Sequence, residues 1–219
     1  MKIPSEWTFA SEEVAAHFDG HVRGQLPWYD LVSDAVVEVA RHFIPEGGLV
    51  YDVGCSTGNI GRRLADTLEA KRAEFIGIEK SESMAARYAG PGRVVVGDAL
   101  AYEFERFDVA IVFLTLMFFP VSERGAFLRR LRSRMRPGGA IILVEKTLPV
   151  GGWLSTVFSR VTLRAKLASG EAASAILEKE LSLGGSQRPI DPAILGPDAV
   201  EFFRFGDFAG YVVARGEDL

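Results

Sequence analysis

Asp52 and Glu79 are the residues whose type and spacing most directly suggest chemistry. Asp52 sits in an apolar run, Leu49-Val50-Tyr51-Asp52-Val53, that opens a loop in which Gly54, Gly58 and Gly61 stand as GxxxGxxG. Glycine there permits a sharp turn and lets a ligand approach bare main chain. A dinucleotide site spaces its glycines GxGxxG and aims a helix N-terminus at a pyrophosphate. Here the spacing is wider and an acid precedes the turn, a poor neighbour for phosphate and a good one for a cation. Glu79 follows the loop by about 20 residues, the separation at which a strand-end carboxylate accepts the hydroxyl hydrogens of a ribose. Taken alone, the same loop and the same acids also suit a plain strand-to-helix turn and a solvated strand end.

Such residues need a frame of alternating strands and helices. Leu31, Val32, Ala35, Val36, Val39, Ala40 and Phe43 form a helical stripe that stops at Pro45 and Gly47-Gly48, just before the first apolar strand. Further strands are expected at Glu74–Glu79, Arg93–Gly97, Phe107–Phe113 and Ala140–Glu145. Between the last two, Ser122 reads as an N-cap, Phe127, Leu128, Leu131 and Met135 as an apolar face, and Pro137-Gly138-Gly139 as the helix end. A helical stretch, Trp153 to Leu183, and a Gly- and Pro-rich loop, Gly184 to Pro197, precede two apolar runs, Val200–Phe205 and Tyr211–Arg215, which read as an antiparallel hairpin around Gly206-Asp207. The fold class is α/β: a Rossmann-like, mostly parallel sheet with helices on both faces, an extra helical segment and a C-terminal antiparallel hairpin. The expected organisation is one domain over 1–219, with a helical segment at 1–45, a core at 46–149, a helical insertion at 150–197 and the closing hairpin at 198–219.

Composition narrows the function. With 219 residues, 48% apolar and 25% charged, the chain is sized for one α/β core. A net charge of −4 argues against a broad footprint for nucleic acid or an anionic membrane, so a small-molecule substrate is the favoured partner and nucleic acid the less favoured one. The longest apolar run, Val109 to Phe119, is interrupted by Thr115, closed by Pro120 and too short to span a bilayer. Cys55 is the only cysteine, and no charged-then-apolar leader precedes Lys2, Ser5 and Glu6, so a cytoplasmic setting is expected. His17, His21 and His42 are the only histidines, and neither a metal site nor a nucleophilic triad is expected. His17 and His21 lie one helical turn apart, where they face either a substrate or, the more ordinary case, solvent or core.

The glycine loop with its leading acid resembles the first motif of the class I S-adenosylmethionine-dependent methyltransferases. The resemblance implies S-adenosylmethionine as cofactor and a seven-stranded sheet whose last strand is antiparallel. It implies that Asp52 faces a cationic sulfonium and ammonium end and that Glu79 grips the ribose. Asp98, closing the third strand, would accept from the adenine amine while the Ala99 amide meets a ring nitrogen; Gly97-Asp98 is also an ordinary turn signal. Leu114 and Thr115 would face the methionine portion, with Met117, Phe118 and Phe119 either excluding water or packing in the core.

Several stretches are similar to one branch in particular, the carboxy-S-adenosylmethionine synthases that make the modified cofactor for tRNA wobble-uridine modification. They are Leu26-Pro27-Trp28-Tyr29, Tyr51-Asp52-Val53-Gly54-Cys55-Ser56, Thr115-Leu116-Met117-Phe118, Ser122-Glu123-Arg124, Pro137-Gly138-Gly139 and Glu145-Lys146. Carried over position by position, Tyr29, Gly54, Cys55, Ser56, Glu79, Lys80, Asp98 and Ala99 fall on cofactor-contacting positions, with Gly58 in the same loop. The resemblance places the N-terminal segment over the cofactor as a lid, making Arg23 and Tyr29 acceptor-side candidates, and it implies a homodimer. The chain departs from the branch in two places. Phe113 stands where the branch has Asn, and the Arg that holds the extra carboxylate of carboxy-S-adenosylmethionine has no counterpart between Ala172 and Leu183, where the nearest cation is Lys179; Arg188 follows in the next loop. An Arg fork binds a carboxylate bidentately where a Lys is a point charge. The leading reading is therefore a methyltransferase acting on an unidentified, small acceptor. Its alternatives are a carboxy-S-adenosylmethionine synthase and a non-catalytic S-adenosylmethionine-binding protein, with a nicotinamide oxidoreductase behind them.

Overall fold

A computed structural model describes residues 7–148 and 151–216. Lys2, Ser5 and Glu6, on which the leader expectation rests, and the expected core boundary at 149–150 lie outside the described residues. In chain order the elements are α1 (Glu12–Gln25), α2 (Tyr29–Arg41), β1 (Leu49–Val53), α3 (Asn59–Ala70), β2 (Glu74–Glu79), the single turn α4 (Glu82–Ala85), β3 (Arg93–Val96) and β4 (Phe107–Phe113). A 3-10 turn, Leu116–Phe118, leads into α5 (Val121–Arg134), β5 (Met135–Lys146), α6 (Trp153–Ala168) and α7 (Ala173–Ser182). A second 3-10 turn, Pro192–Leu195, precedes the hairpin β6 (Ala199–Phe205) and β7 (Phe208–Ala214).

The seven strands form one sheet in the order β3-β2-β1-β4-β5-β7-β6. β1 to β5 pair in parallel, and β7 runs antiparallel to both β5 and β6. The chain runs outward from β1 to β3 and then crosses back to β4, so strand order reverses between β1 and β4. In an open α/β sheet, ligands bind outside the carboxyl ends of the strands at such a reversal.

Two apolar layers sandwich the sheet, because successive side chains of a strand point to opposite faces. Tyr51, Ile76, Ile78 and Val112 pack with Phe127 and Leu131 of α5 on one side, while Val50, Val109, Ile111 and Ile142 pack with Val32, Val36 and Leu64 of α2 and α3 on the other. Burying four to six such side chains per element, at about 1.5–3 kcal/mol each, is what holds β1 and β4 side by side.

Three local expectations are corrected. The buried stripe of α2 runs through Tyr29, Val32, Ser33, Val36, Val37 and Ala40, leaving Leu31 67% exposed, because the helix begins at Tyr29 and turns that face inward. Ser122 is not the cap of α5: the helix begins at Val121 with Pro120 at its N-cap and no side-chain capping bond. Pro137-Gly138-Gly139 does not end that helix but lies inside β5. There Gly138 has φ +77° and its amide bonds the Arg215 carbonyl, so the segment is an irregular start to the strand.

Candidate active site

A cavity of about 530 Å³ opens at the carboxyl ends of β1, β2 and β4, over the strand-order reversal, roofed by α1 and flanked by α6 and α7. Its wall carries Tyr29, Asp52, Gly54, Cys55, Ser56, Glu79, Lys80, Asp98, Ala99, Leu114 and Thr115, so eleven of the thirteen candidate residues come together. Gly58 and Arg23 do not. Gly58, with φ +92°, forms the N-cap of α3 and its missing Cβ makes room for the Tyr88 ring. The Arg23 guanidinium is spent on Asp30 at 3.0 Å, the Asp19 carbonyl at 2.9 Å and Asn59, and lies over the Tyr29 ring, 5.4 Å from its centre.

The glycine loop folds as its sequence requires. Gly54 has φ +76°, its amide bonds the Ile78 carbonyl at 2.7 Å, and a Cβ there would collide with Thr115. Cys55 follows, buried, its sulfur resting where Gly77 of β2 has no side chain, and burial pushes its thiol well up. Glu79 ties the loop to β2: its two oxygens accept from the Ser56 amide at 2.9 Å and the Ser81 amide at 2.8 Å. Burial raises its carboxyl and those amides pull the other way.

Asp52 is different. It is 1% exposed and its Oδ2 is buried with no hydrogen-bond partner. Burial, and then the nearby Glu79 charge, push its carboxyl up to about 7. A buried carboxylate left unpaired at the reversal point costs stability unless something cationic meets it. Asp98 lies at the rim, where Lys80 at 2.8 Å and the Leu100 amide at 2.9 Å outweigh its partial burial and lower its carboxyl.

The segment after β4 is fixed by a residue whose role the sequence did not disclose. Glu145, fully buried on β5, accepts from the amides of Thr115 at 3.0 Å, Leu116 at 2.7 Å and Met117 at 3.0 Å. Burial raises its carboxyl to about 7 against the pull of those amides. With that anchor Leu114 is held at φ +54°, an unusual conformation for a branched side chain, on the cavity wall. Arg124, also buried, bonds the carbonyls of Met117, Phe119, Arg188 and Pro189, locking this turn to the loop before Ile190. The signal for Glu145 was an acid ending an apolar strand, as at Glu79.

The lid side holds groups whose direction the sequence left open. His21 lies on the cavity wall, stacked on Trp7 with ring centres 5.2 Å apart, while His17 is exposed and bonds the Glu13 carbonyl. Lys146, Lys166, Lys179 and Glu180 also reach the wall, whereas Arg188 is exposed and contributes only main-chain bonds. Phe113 packs edge-on against Tyr29 at 5.4 Å. Thr57 of the glycine loop donates to Asp19 of α1 at 2.7 Å, so the roof is latched to the floor. Among the described residues no three His, Cys, Asp or Glu side chains are grouped to hold a metal, and no helix is long and apolar enough to cross a membrane.

Residues 50–139 match the family described as a methyltransferase domain. Those residues carry the glycine loop, Asp52, Glu79, Asp98 and the β4 turn. Over that span the chain is similar to methyltransferase domains. The chain is 28% identical to a Staphylococcus epidermidis protein named carboxy-S-adenosyl-L-methionine synthase, over 85% of its own length and 84% of that protein's. Its fold is similar to that of human N-acetylserotonin methyltransferase solved with S-adenosylmethionine (TM-score 0.62, 14% identity), covering 98% of this chain and 60% of that one. It is also similar to magnesium protoporphyrin IX methyltransferase from Synechocystis, solved with S-adenosylhomocysteine (TM-score 0.58, 20% identity), covering 89% and 87% of the two chains. At these identities the structural likeness is one of fold.

The residues present fit S-adenosylmethionine. An orphaned buried carboxylate oxygen at Asp52 suits a cation, Gly54 keeps the loop backbone bare, and the position where Gly97 would carry a Cβ is open space.

Proposed function

We propose that this enzyme transfers a methyl group from S-adenosylmethionine to a small-molecule acceptor. The observation that carries the reading is the unpartnered, buried Asp52 carboxylate sharing one cavity with Glu79 at the reversal of strand order. In this reading Asp52 meets the cationic methionine end and Glu79 uses its remaining lone pairs for the ribose hydroxyls. Asp98 and the Ala99 amide take the adenine edge, the Gly54-Cys55-Ser56 backbone lies along the nucleoside, and Leu114, Thr115 and Tyr29 close around the sulfur. The bound cofactor supplies an electrophilic methyl group on a sulfonium. The chain's own contribution is alignment and dryness, since an in-line displacement needs a nucleophile held in register and water kept out, with no side-chain base required. Tyr29, Phe113 and Phe118 are placed for that exclusion. Titration calorimetry tests the assignment: S-adenosylmethionine and S-adenosylhomocysteine bind and NAD does not. Binding of NAD with none of the sulfur nucleosides would overturn it.

A second reading, a carboxy-S-adenosylmethionine synthase, is favoured by the named relative. Phe113 and the absence of an Arg at the place of Lys179 count against it. Mass spectrometry of nucleoside co-purifying with the protein separates the two, because the carboxylated cofactor is heavier and carries an anion at the transferred carbon.

A further inference from the structure

Lys179 on α7 is 7% exposed, lines the cavity, and its Nζ has no hydrogen-bond partner. Its neighbours explain why. Glu180, the adjacent carboxylate, is taken by Lys166 at 2.6 Å and by Lys146 at 3.5 Å, and Lys146 also reaches Asp207 at 3.7 Å. Three amines thus share two carboxylates, and the Lys179 amine is the surplus one, lying over the Trp7 ring. In the same corner the buried Nε2 of His21, stacked on Trp7, likewise has no hydrogen-bond partner. Two unpartnered polar groups on one cavity wall mark a place built to be completed by a ligand, because buried polar groups are otherwise paired. The neighbouring wall, with Phe9, Phe18 and Phe118, is aromatic.

We propose that this corner receives the carboxylate of an acceptor whose body is apolar, and that Lys179 holds it. This rests on the methyltransferase reading above and names its substrate class. An ammonium buried without a counter-charge is costly, so a lysine in such a place sheds its proton. Burial first, and then the Lys166 charge, bring Lys179 down to about 6 against the opposing pull of Glu180. The groups facing it are Lys166 from α6, Glu180 from α7, Lys146 from β5 and His21 from α1. His21 is itself held down to about 4 by burial and by Lys179, and is neutral at neutral pH. An arriving carboxylate supplies the missing counter-charge, so the amine takes up a proton as the acid binds.

The test uses protein saturated with S-adenosylhomocysteine and a panel of benzoate, phenylacetate and cinnamate beside their neutral amides, followed by calorimetry at pH 7.5 in two buffers of different ionisation enthalpy. At least one acid is expected to bind about tenfold or more tightly than its amide, with uptake of close to one proton. Lys179→Met is expected to abolish that preference while S-adenosylhomocysteine still binds as in the parent. Lys179→Arg, charged throughout, is expected to keep the preference and lose the proton uptake. Amides binding as well as acids, an unchanged preference in Lys179→Met, acids that bind only when the nucleoside is absent, or no acid binding to nucleoside-loaded protein would each overturn the proposal. Failure of S-adenosylhomocysteine itself to bind would instead overturn the cofactor reading, which the panel does not probe.

Discussion

The two walls of the cavity are built by opposite means. On the strand side the acidic groups Glu79, Asp98 and Glu145 are each satisfied by backbone amides within their own or the adjoining strand-end loops, leaving Asp52 as the one orphan there among the described residues. On the helical side the lysines Lys146, Lys166 and Lys179 come from three separate elements; the first two are paired with Glu180 and Asp207, and Lys179 has no hydrogen-bond partner. The strand side is thus rigid and preset, as a site for a constant cofactor should be. The helical side carries more amines than carboxylates, which suits the part that would choose an acceptor.

The difference is broken most strongly at Glu145. Replacing it by Ala leaves the amides of Thr115, Leu116 and Met117 buried without an acceptor. The expected loss is about 3–5 kcal/mol of stability, a fall in Tm of roughly 10 °C, read by calorimetric unfolding. With the turn released, Leu114 leaves its positive φ and S-adenosylhomocysteine binding weakens with it. An unchanged Tm would mean that the turn holds itself and that the strand side is less preset than its bonds suggest.

Asp52 sharpens the comparison, because there stability and binding oppose each other. Its folded carboxyl stands at about 7, above its ordinary value of 3.8, so its favourable contribution is complete below about pH 4 and is lost as pH climbs through about 7. Asp52→Asn is therefore expected to stabilise the ligand-free protein at pH 8 by on the order of 2 kcal/mol and to change little at pH 4. The same change is expected to weaken S-adenosylmethionine on the order of a hundredfold at pH 8. In the parent, affinity for that cation rises with pH through about 7 as the carboxyl ionises; a flat profile would remove Asp52 from contact with the cofactor's charge.

The contrast between the walls also governs what could be read from the sequence. The strands β1, β2 and β4 match the apolar runs residue for residue, since a buried parallel strand is a continuous apolar run between turn signals. That Asp52, Gly54, Glu79 and Asp98 share one cavity wall followed, because they are strand-end residues whose place is set by the strands themselves. Arg23 was misplaced because nothing local tells a helix surface cation to turn toward Asp30 rather than inward. Lys166 was unreadable for the same reason, and for His21 the sequence left substrate, solvent and core open. Their meeting depends on how α1, α6 and α7 pack across more than a hundred residues of chain, which periodicity does not encode. Pro137-Gly138-Gly139 was misread because the residues that end a helix are also those that bend a strand.

The smallest expected effect lies at Lys80, on the edge of the preset wall. Its ion pair with Asp98 is open to water, the lysine being 77% exposed, and pairs of that kind contribute about 0–1 kcal/mol. Removing the amine in Lys80→Ala lets the Asp98 carboxyl rise toward its ordinary value, yet the Leu100 amide still holds it and it stays ionised at neutral pH. The expected outcome is a change in Tm of less than about 2 °C and a change in S-adenosylhomocysteine affinity of about threefold or less. A tenfold loss with Tm unchanged would show that Lys80 touches the nucleoside directly. The rim of the strand side would then share the ligand-dependent character of the helical wall, and the division between the two would run through Asp98 rather than along α1.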